Sequence, residues 1–136
     1  MKETICGILG ILGAAVASVF GGWSASLTTL LILMVIDYVS GMVVAAVFHA
    51  SNKSEDGTLN SNAGWKGLAK KCMVLVFVLI ANRLDMAMGT TYIKDGVTIA
   101  FMVNELLSVI ENAGLMGVPI PKPITDAIEV LKDKKE

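Results

Sequence analysis

The groups in this chain that could do chemistry are few, and most are acidic or amide side chains set in apolar sequence. Asn104, Glu105, Ser108, Glu111 and Asn112 recur at helical spacing within NELLSVIEN. On a helix these five positions fall within roughly 120° of one another, so they form one polar stripe. Asp37 stands alone in the apolar run Leu27–Phe48, and Arg83 and Asp85 interrupt a third apolar run. Carboxylates, amides and one guanidinium can pair, hold protons or line a water path. They make no recognisable catalytic set. His49 is the single histidine, so a serine or cysteine nucleophile has no neighbouring base. Cys6 and Cys72 without histidine partners make a poor metal site. The expectation is therefore a protein that is not an enzyme and carries neither cofactor nor metal.

The elements holding these residues must be apolar helices. Hydrophobic residues make up 54% of 136 residues, and mean hydropathy is +0.69, too apolar for an ordinary soluble domain. A net charge of −1 excludes the basic field of a nucleic-acid binder. Four apolar segments stand out, at residues 5–23, 27–48, 72–89 and 97–116. The first two are uninterrupted enough to read directly as membrane spans. The last two carry polar residues and read less clearly. The expected fold is an all-α integral membrane protein in one domain, residues 1–136, with three to four transmembrane helices. A cytoplasmic loop over 49–71 separates the second and third segments, its polar part running over 50–64. Pro119, Pro121 and Pro123 stop the fourth helix. Ile124, Ala127, Ile128 and Leu131 then share one face of a short amphipathic C-terminal helix, 123–136.

Segment 5–23 has two further readings. Ala15-Val16-Ala17 before Ser18 has the small-residue pattern of a signal-peptide cleavage site, although the apolar stretch continues past it. The segment could also lie in the interface without crossing. With four crossings and the N-terminus inside, all basic residues except Arg83 and Lys94 fall on the inner side, a strong positive-inside bias. Without the first crossing the N-terminus lies outside and nothing after residue 27 changes. The C-terminus is cytoplasmic in both cases. Trp65, Lys70 and Lys71 suit the inner interface as anchors of a helix end.

A rise of about 1.5 Å per residue places Asp37 about 15 Å and Glu105 about 12 Å from the outer edge of their spans. Counted inward from Cys72, Arg83 lies about 16 Å from the inner edge. Three ionisable groups on three helices thus reach similar depth, and Arg83 is the expected intramembrane partner of Glu105 or Asp37. Carboxylates outnumber that arginine. A buried carboxylate costs on the order of 2.5–3.5 kcal/mol on insertion scales, so these groups must pair, protonate or face water. A bland reading stands beside this one, a buried pair that only fixes helix register. Gly41 and Ala45 form a small-xxx-small pair on the face of Asp37, suited to close helix packing within the fold or between protomers.

Taken in order, these residues resemble the bacteriophage holin family that includes the clostridial toxin-secretion holins. The resemblance rests on Gly21-Gly22-Trp23, Asp37-Tyr38 with Gly41, and Ser61-x-x-Gly64-x-x-Gly67 leading to Lys70-Lys71. Asp85, the Asn104–Asn112 stripe and Gly117-Val118-Pro119-Ile120-Pro121 complete it. Trp65-Lys66 and the acidic Glu55-Asp56 depart from the expected pattern and leave the role of the loop open. The resemblance implies a phage or prophage protein of the bacterial cytoplasmic membrane that associates with itself and opens a lesion. The cargo would be a cell-wall hydrolase, giving host lysis, or a toxin; the family brings no catalytic residues. Two other classes compete. A small ion channel or transporter would use the same charges for passage, but neither an inverted repeat nor a filter-like segment is present. A non-conducting membrane adaptor would dock partners on the loop and C-terminal helix. On the lesion reading the stripe is the candidate lumen surface, and Asp37 serves helix packing.

Overall fold

The computed structural model describes residues 1–135, and Glu136, the last residue of the expected C-terminal helix, lies outside them. The described residues form five helices: α1 (Lys2–Val19), α2 (Ala25–Ala46), α3 (Ser61–Met88), α4 (Ile93–Leu115) and α5 (Lys122–Lys135). Local chemistry sets their ends. Ser24 Oγ accepts the Leu27 amide at 3.1 Å to start α2, and Asn60 Oδ1 accepts the Asn62 amide at 2.8 Å to start α3. Gly89 ends α3 in the left-handed conformation, φ 70°, which a residue with a Cβ adopts only at a cost. α3 is 28 residues long and begins at Ser61, so residues 61–71, expected within a loop, are its first turns. A side-chain cap at Asn60 and the absence of proline let this polar stretch continue the helix.

α2, α3 and α4 form the bundle. α4 packs chiefly on α2, less on α3, and receives α5 across the proline turn, where Ile128 is buried. α2 and α4 run parallel, and α3 antiparallel to both. Buried positions repeat every seven residues along both parallel helices: Leu30, Asp37 and Val44 on α2, and Thr98, Glu105 and Asn112 on α4. That period keeps one seam of each helix facing its neighbour. Near the turns, Leu27, Leu30 and Met34 pack on Val78 of α3, ringed by Phe20, Leu31, Val74 and Phe101. Phe77 and Phe101 stack across α3 and α4 at 6.3 Å. The outward faces are apolar: Ile32, Val35, Ile36 and Val39 on α2, and Val76, Phe77, Ile80 and Leu84 on α3, are all exposed. Charge inside and hydrocarbon outside is the arrangement that suits lipid rather than water.

α1 differs from the rest. None of its residues is buried, and it packs along no other helix. Its C-terminal end alone is held. Asn82 Nδ2 of α3 donates to the Val19 carbonyl at 3.0 Å, and Lys94 Nζ of α4 donates to the Phe20 carbonyl. Gly21, at φ +80°, lets Asn82 approach so closely that a Cβ would stand 2.4 Å from its Oδ1. Among the described residues, α1 and α2 are the two helices long and apolar enough to cross a membrane.

Candidate functional site

The polar groups of α2, α3 and α4 meet in the bundle interior. Asp37, between Leu30 and Val44 on the α2 seam, points at α4. Its Oδ1 accepts from Ser108 Oγ at 2.5 Å and from Asn112 Nδ2 at 3.1 Å. Its Oδ2 accepts from Lys71 Nζ at 2.7 Å. The same ammonium donates to Glu105 Oε2 at 2.7 Å, so one lysine bridges two carboxylates on two other helices. Asn112 Nδ2 also reaches Ser40 Oγ at 2.8 Å and the Asp37 carbonyl at 3.2 Å. Side-chain exposure is 14% for Lys71, 7% for Asp37 and 6% for Glu105. Buried charges at this level persist only when paired and hydrogen-bonded, and both carboxylate oxygens of Asp37 are so satisfied. Two carboxylates share one ammonium. The cluster therefore has one more acid than base, and it can hold a proton or draw in water when the helices part.

The expected pairing of Arg83 with Asp37 or Glu105 is not what the structure holds. Lys71, expected at the interface as an anchor, takes that place. Helical phase explains the exchange. Lys71, Val78 and Asp85 lie seven apart on one seam of α3, whereas Arg83 is rotated about 140° from Val78 at 100° per residue. Arg83 is exposed and lies against Met86 Sδ. Depth separates them too. α3 ends at Met88, so Arg83 sits about 8 Å from that end, while Asp37 and Glu105 lie about 18 Å along α2 and α4 from the same end of the bundle. Counting from Cys72 had placed Arg83 too deep, because the helix continues well before that residue.

Asp85 likewise takes no part in a charge pair among the described residues. Its carboxylate accepts the Ile93 amide at 3.0 Å, the Lys94 amide at 2.9 Å and the Thr90 hydroxyl at 2.6 Å. It thereby caps α4 from the end of α3 and fixes the turn between them. The stripe on α4 divides. Glu105, Ser108 and Asn112 face Asp37, whereas Asn104 and Glu111 are exposed, Glu111 taking a hydrogen bond from Asn52 of the loop. Ala45 is buried, and Gly41 lies beneath Lys53 and Asn112. Trp65 and Lys70 stay on the outside of α3, Trp65 at 70% exposure. Three contributors had no structural role assigned from sequence: Tyr38, whose hydroxyl donates to the Gly64 carbonyl at 3.1 Å, and Asn82 and Lys94, which hold the α1–α2 turn. Asn82 carried a signal, being an amide one turn after Val78 on the same face.

Residues 14–133 match the bacteriophage holin family. A 38% identical uncharacterised protein of Halalkalibacterium halodurans aligns over 90% of this chain and 89% of its own length. A 14.9 kDa uncharacterised protein from the nagH 3′ region of Clostridium perfringens is 34% identical over 91% of this chain and 89% of its own. A probable holin of Bacillus phage phi105 is 31% identical over 81% of this chain and 76% of its own. No solved structure matches the chain. Together with the two apolar helices, the match supports a membrane location. The chain belongs to the bacteriophage holin family.

Proposed function

We propose that this protein is a holin that gathers in the bacterial cytoplasmic membrane, associates with copies of itself and opens a lesion. Through that lesion a cell-wall hydrolase, or in some settings a toxin, leaves the cell. The observation that carries this reading is the Asp37–Lys71–Glu105 cluster, closed with Ser108 and Asn112 inside a bundle whose outer faces are apolar. In a single chain the polar surface is sequestered against protein, as lipid demands. Association of further copies would supply polar neighbours, and the α2–α4 seam could then part and turn the cluster toward water. Lys71 would be the latch, since its one ammonium bridges α3 to both α2 and α4 within the polar cluster.

α1 supports association. It is uncharged after Glu3, has no buried residue and keeps Gly7, Gly10 and Gly13 unobstructed, so a neighbouring helix can approach its backbone closely. The lysine distribution supports a cytoplasmic C-terminus, with Lys53, Lys66 and Lys70 at the inner end of the bundle.

Efflux after induced expression in bacteria tests the reading. A holin releases a cytoplasmic reporter protein together with small dyes. Release of ions alone would make the protein a channel, and release of neither would make it an adaptor. Glu105→Leu with Asn104→Leu, at matched membrane levels, is expected to change permeabilisation or oligomer formation. If both stay as in the parent, the α4 stripe has no part in the lesion.

A further inference from the structure

Where the Ala46–Ser61 connection joins α2 to α3, the two helices leave a partly open cavity of about 380 Å³. Four lysines line it: Lys53 from the loop and Lys66, Lys70 and Lys71 from α3. Lys71 is engaged by Asp37 and Glu105 at the floor. Lys53, Lys66 and Lys70 form no ion pair among the described residues. Lys53 is folded inward over α2, its Nζ 3.8 Å from where a Cβ on Gly41 would stand. The first turn of α3 contributes Ala63 and Gly64 to the wall, which brings the positive end of a 28-residue helix to the same space. Met42, Ala45, Leu59 and Val74 supply an apolar side. Glu55 and Asp56 line an adjoining hollow that shares Lys53 and Lys66 with this one, but neither carboxylate lines the cavity or forms an ion pair with these lysines among the described residues.

We propose that this cavity binds the head group of an anionic phospholipid. Its phosphodiester would lie among the ammonium groups of Lys53, Lys66 and Lys70. Its glycerol backbone would lie against Met42 and Leu59. The floor carboxylates keep the phosphate near the mouth, where a lipid can enter from the side. The volume falls within the range of about 300–1,000 Å³ usual for small-molecule sites. A free phosphate ester satisfies the lysines equally well but has no use for the apolar wall, and that wall favours a lipid. The inference rests on the membrane reading, which sodium-carbonate extraction of membranes tests separately.

The test uses the full chain purified in mild detergent and native mass spectrometry. Phosphatidylglycerol and phosphatidylcholine of the same acyl chains are offered in competition, with sn-glycerol 3-phosphate as the soluble arm. Preferential retention of phosphatidylglycerol is expected, and Lys53→Gln, Lys66→Gln or Lys70→Gln should each lower the preference roughly fivefold. The three together should abolish it. Lys122→Gln with Lys132→Gln and Lys134→Gln, changing three exposed lysines elsewhere, should leave it intact. Circular dichroism of each variant checks that the helices are retained. Equal retention of the two lipids would overturn the proposal. So would an equal loss in the distant triple variant, or displacement of phosphatidylglycerol by equimolar sn-glycerol 3-phosphate.

Discussion

Replacing Lys71 with methionine should damage this protein more than any other single change of a charged side chain. Lys71 Nζ lies 2.7 Å from Asp37 Oδ2 and 2.7 Å from Glu105 Oε2, and all three side chains are largely buried. Methionine fills similar space but leaves two carboxylates facing each other with no counter-charge. Breaking a buried pair by removing one partner costs about 3–5 kcal/mol. At about 1.4 kcal/mol per tenfold, that lowers the folded-to-unfolded ratio by roughly two to four powers of ten. Neutralising the acids in the same chain, as Lys71→Met with Asp37→Asn and Glu105→Gln, should recover most of the loss. The penalty belongs to the stranded charges, and replacing both partners of such a pair is often close to neutral. Arg83→Met is the contrast, and it should stay within about 0.5 kcal/mol because Arg83 is exposed and unpaired with either acid. Unfolding by added sodium dodecyl sulfate from mild detergent, followed by circular dichroism, measures all three. Equal stability of Lys71→Met and the parent, or a loss in Arg83→Met as large as that in Lys71→Met, would refute the reasoning.

Gly21→Ala should loosen the α1–α2 turn by about 1–3 kcal/mol, since the residue sits at φ +80° and the new Cβ would meet Asn82. New protease cleavage near residue 21 would report it, and an unchanged pattern would argue against the tie. Asp85→Ala removes the cap of α4, at about 0.5–2 kcal/mol, and should speed amide hydrogen exchange at Ile93 and Lys94. In the loop, Thr58 holds the Asp56 carboxyl below the usual carboxylate range through its hydroxyl and then its amide. A depressed folded-state value means the turn gains from ionised Asp56 above the unfolded value. That gain disappears as pH falls through the folded one. Thr58→Val should return the Asp56 titration, followed by carboxyl NMR shifts, toward the ordinary range.

Much of the architecture can be read from hydropathy and spacing, and the failures have local causes. The helices of segments 5–23 and 27–48 read directly from hydropathy; segment 97–116 reads less clearly, but its polar face is visible in Glu105, Ser108 and Asn112 at spacings of three and four. The same spacing carries Asn104 and Glu111, which the fold leaves outside, because a stripe 120° wide is broader than the seam one neighbouring helix covers. Hydropathy reads the start of α3 late, since Ser61–Lys71 is polar yet helical. That shift moved Arg83 to mid-depth and Lys71 to the interface. The seven-residue relation of Lys71 to Val78 and Asp85 was present in the sequence and corrects both, once the register of α3 is fixed by its buried face. Asp85 is a cap because its own helix ends four residues later at Gly89, a turn legible in the glycine but not in its partner amides. The place of α1 is not written in its composition, since lipid and a neighbouring helix are equally apolar.

The most direct measurement of the central claim is host lysis. The chain is co-expressed in bacteria with a cell-wall hydrolase that lacks any export signal of its own, beside cells carrying either gene alone. On the holin reading the pair lyses abruptly after membrane accumulation, with hydrolase recovered outside the cytoplasmic membrane, while the hydrolase alone leaves cells intact. Full accumulation of the protein in the membrane with the hydrolase still retained in the cytoplasm would contradict it.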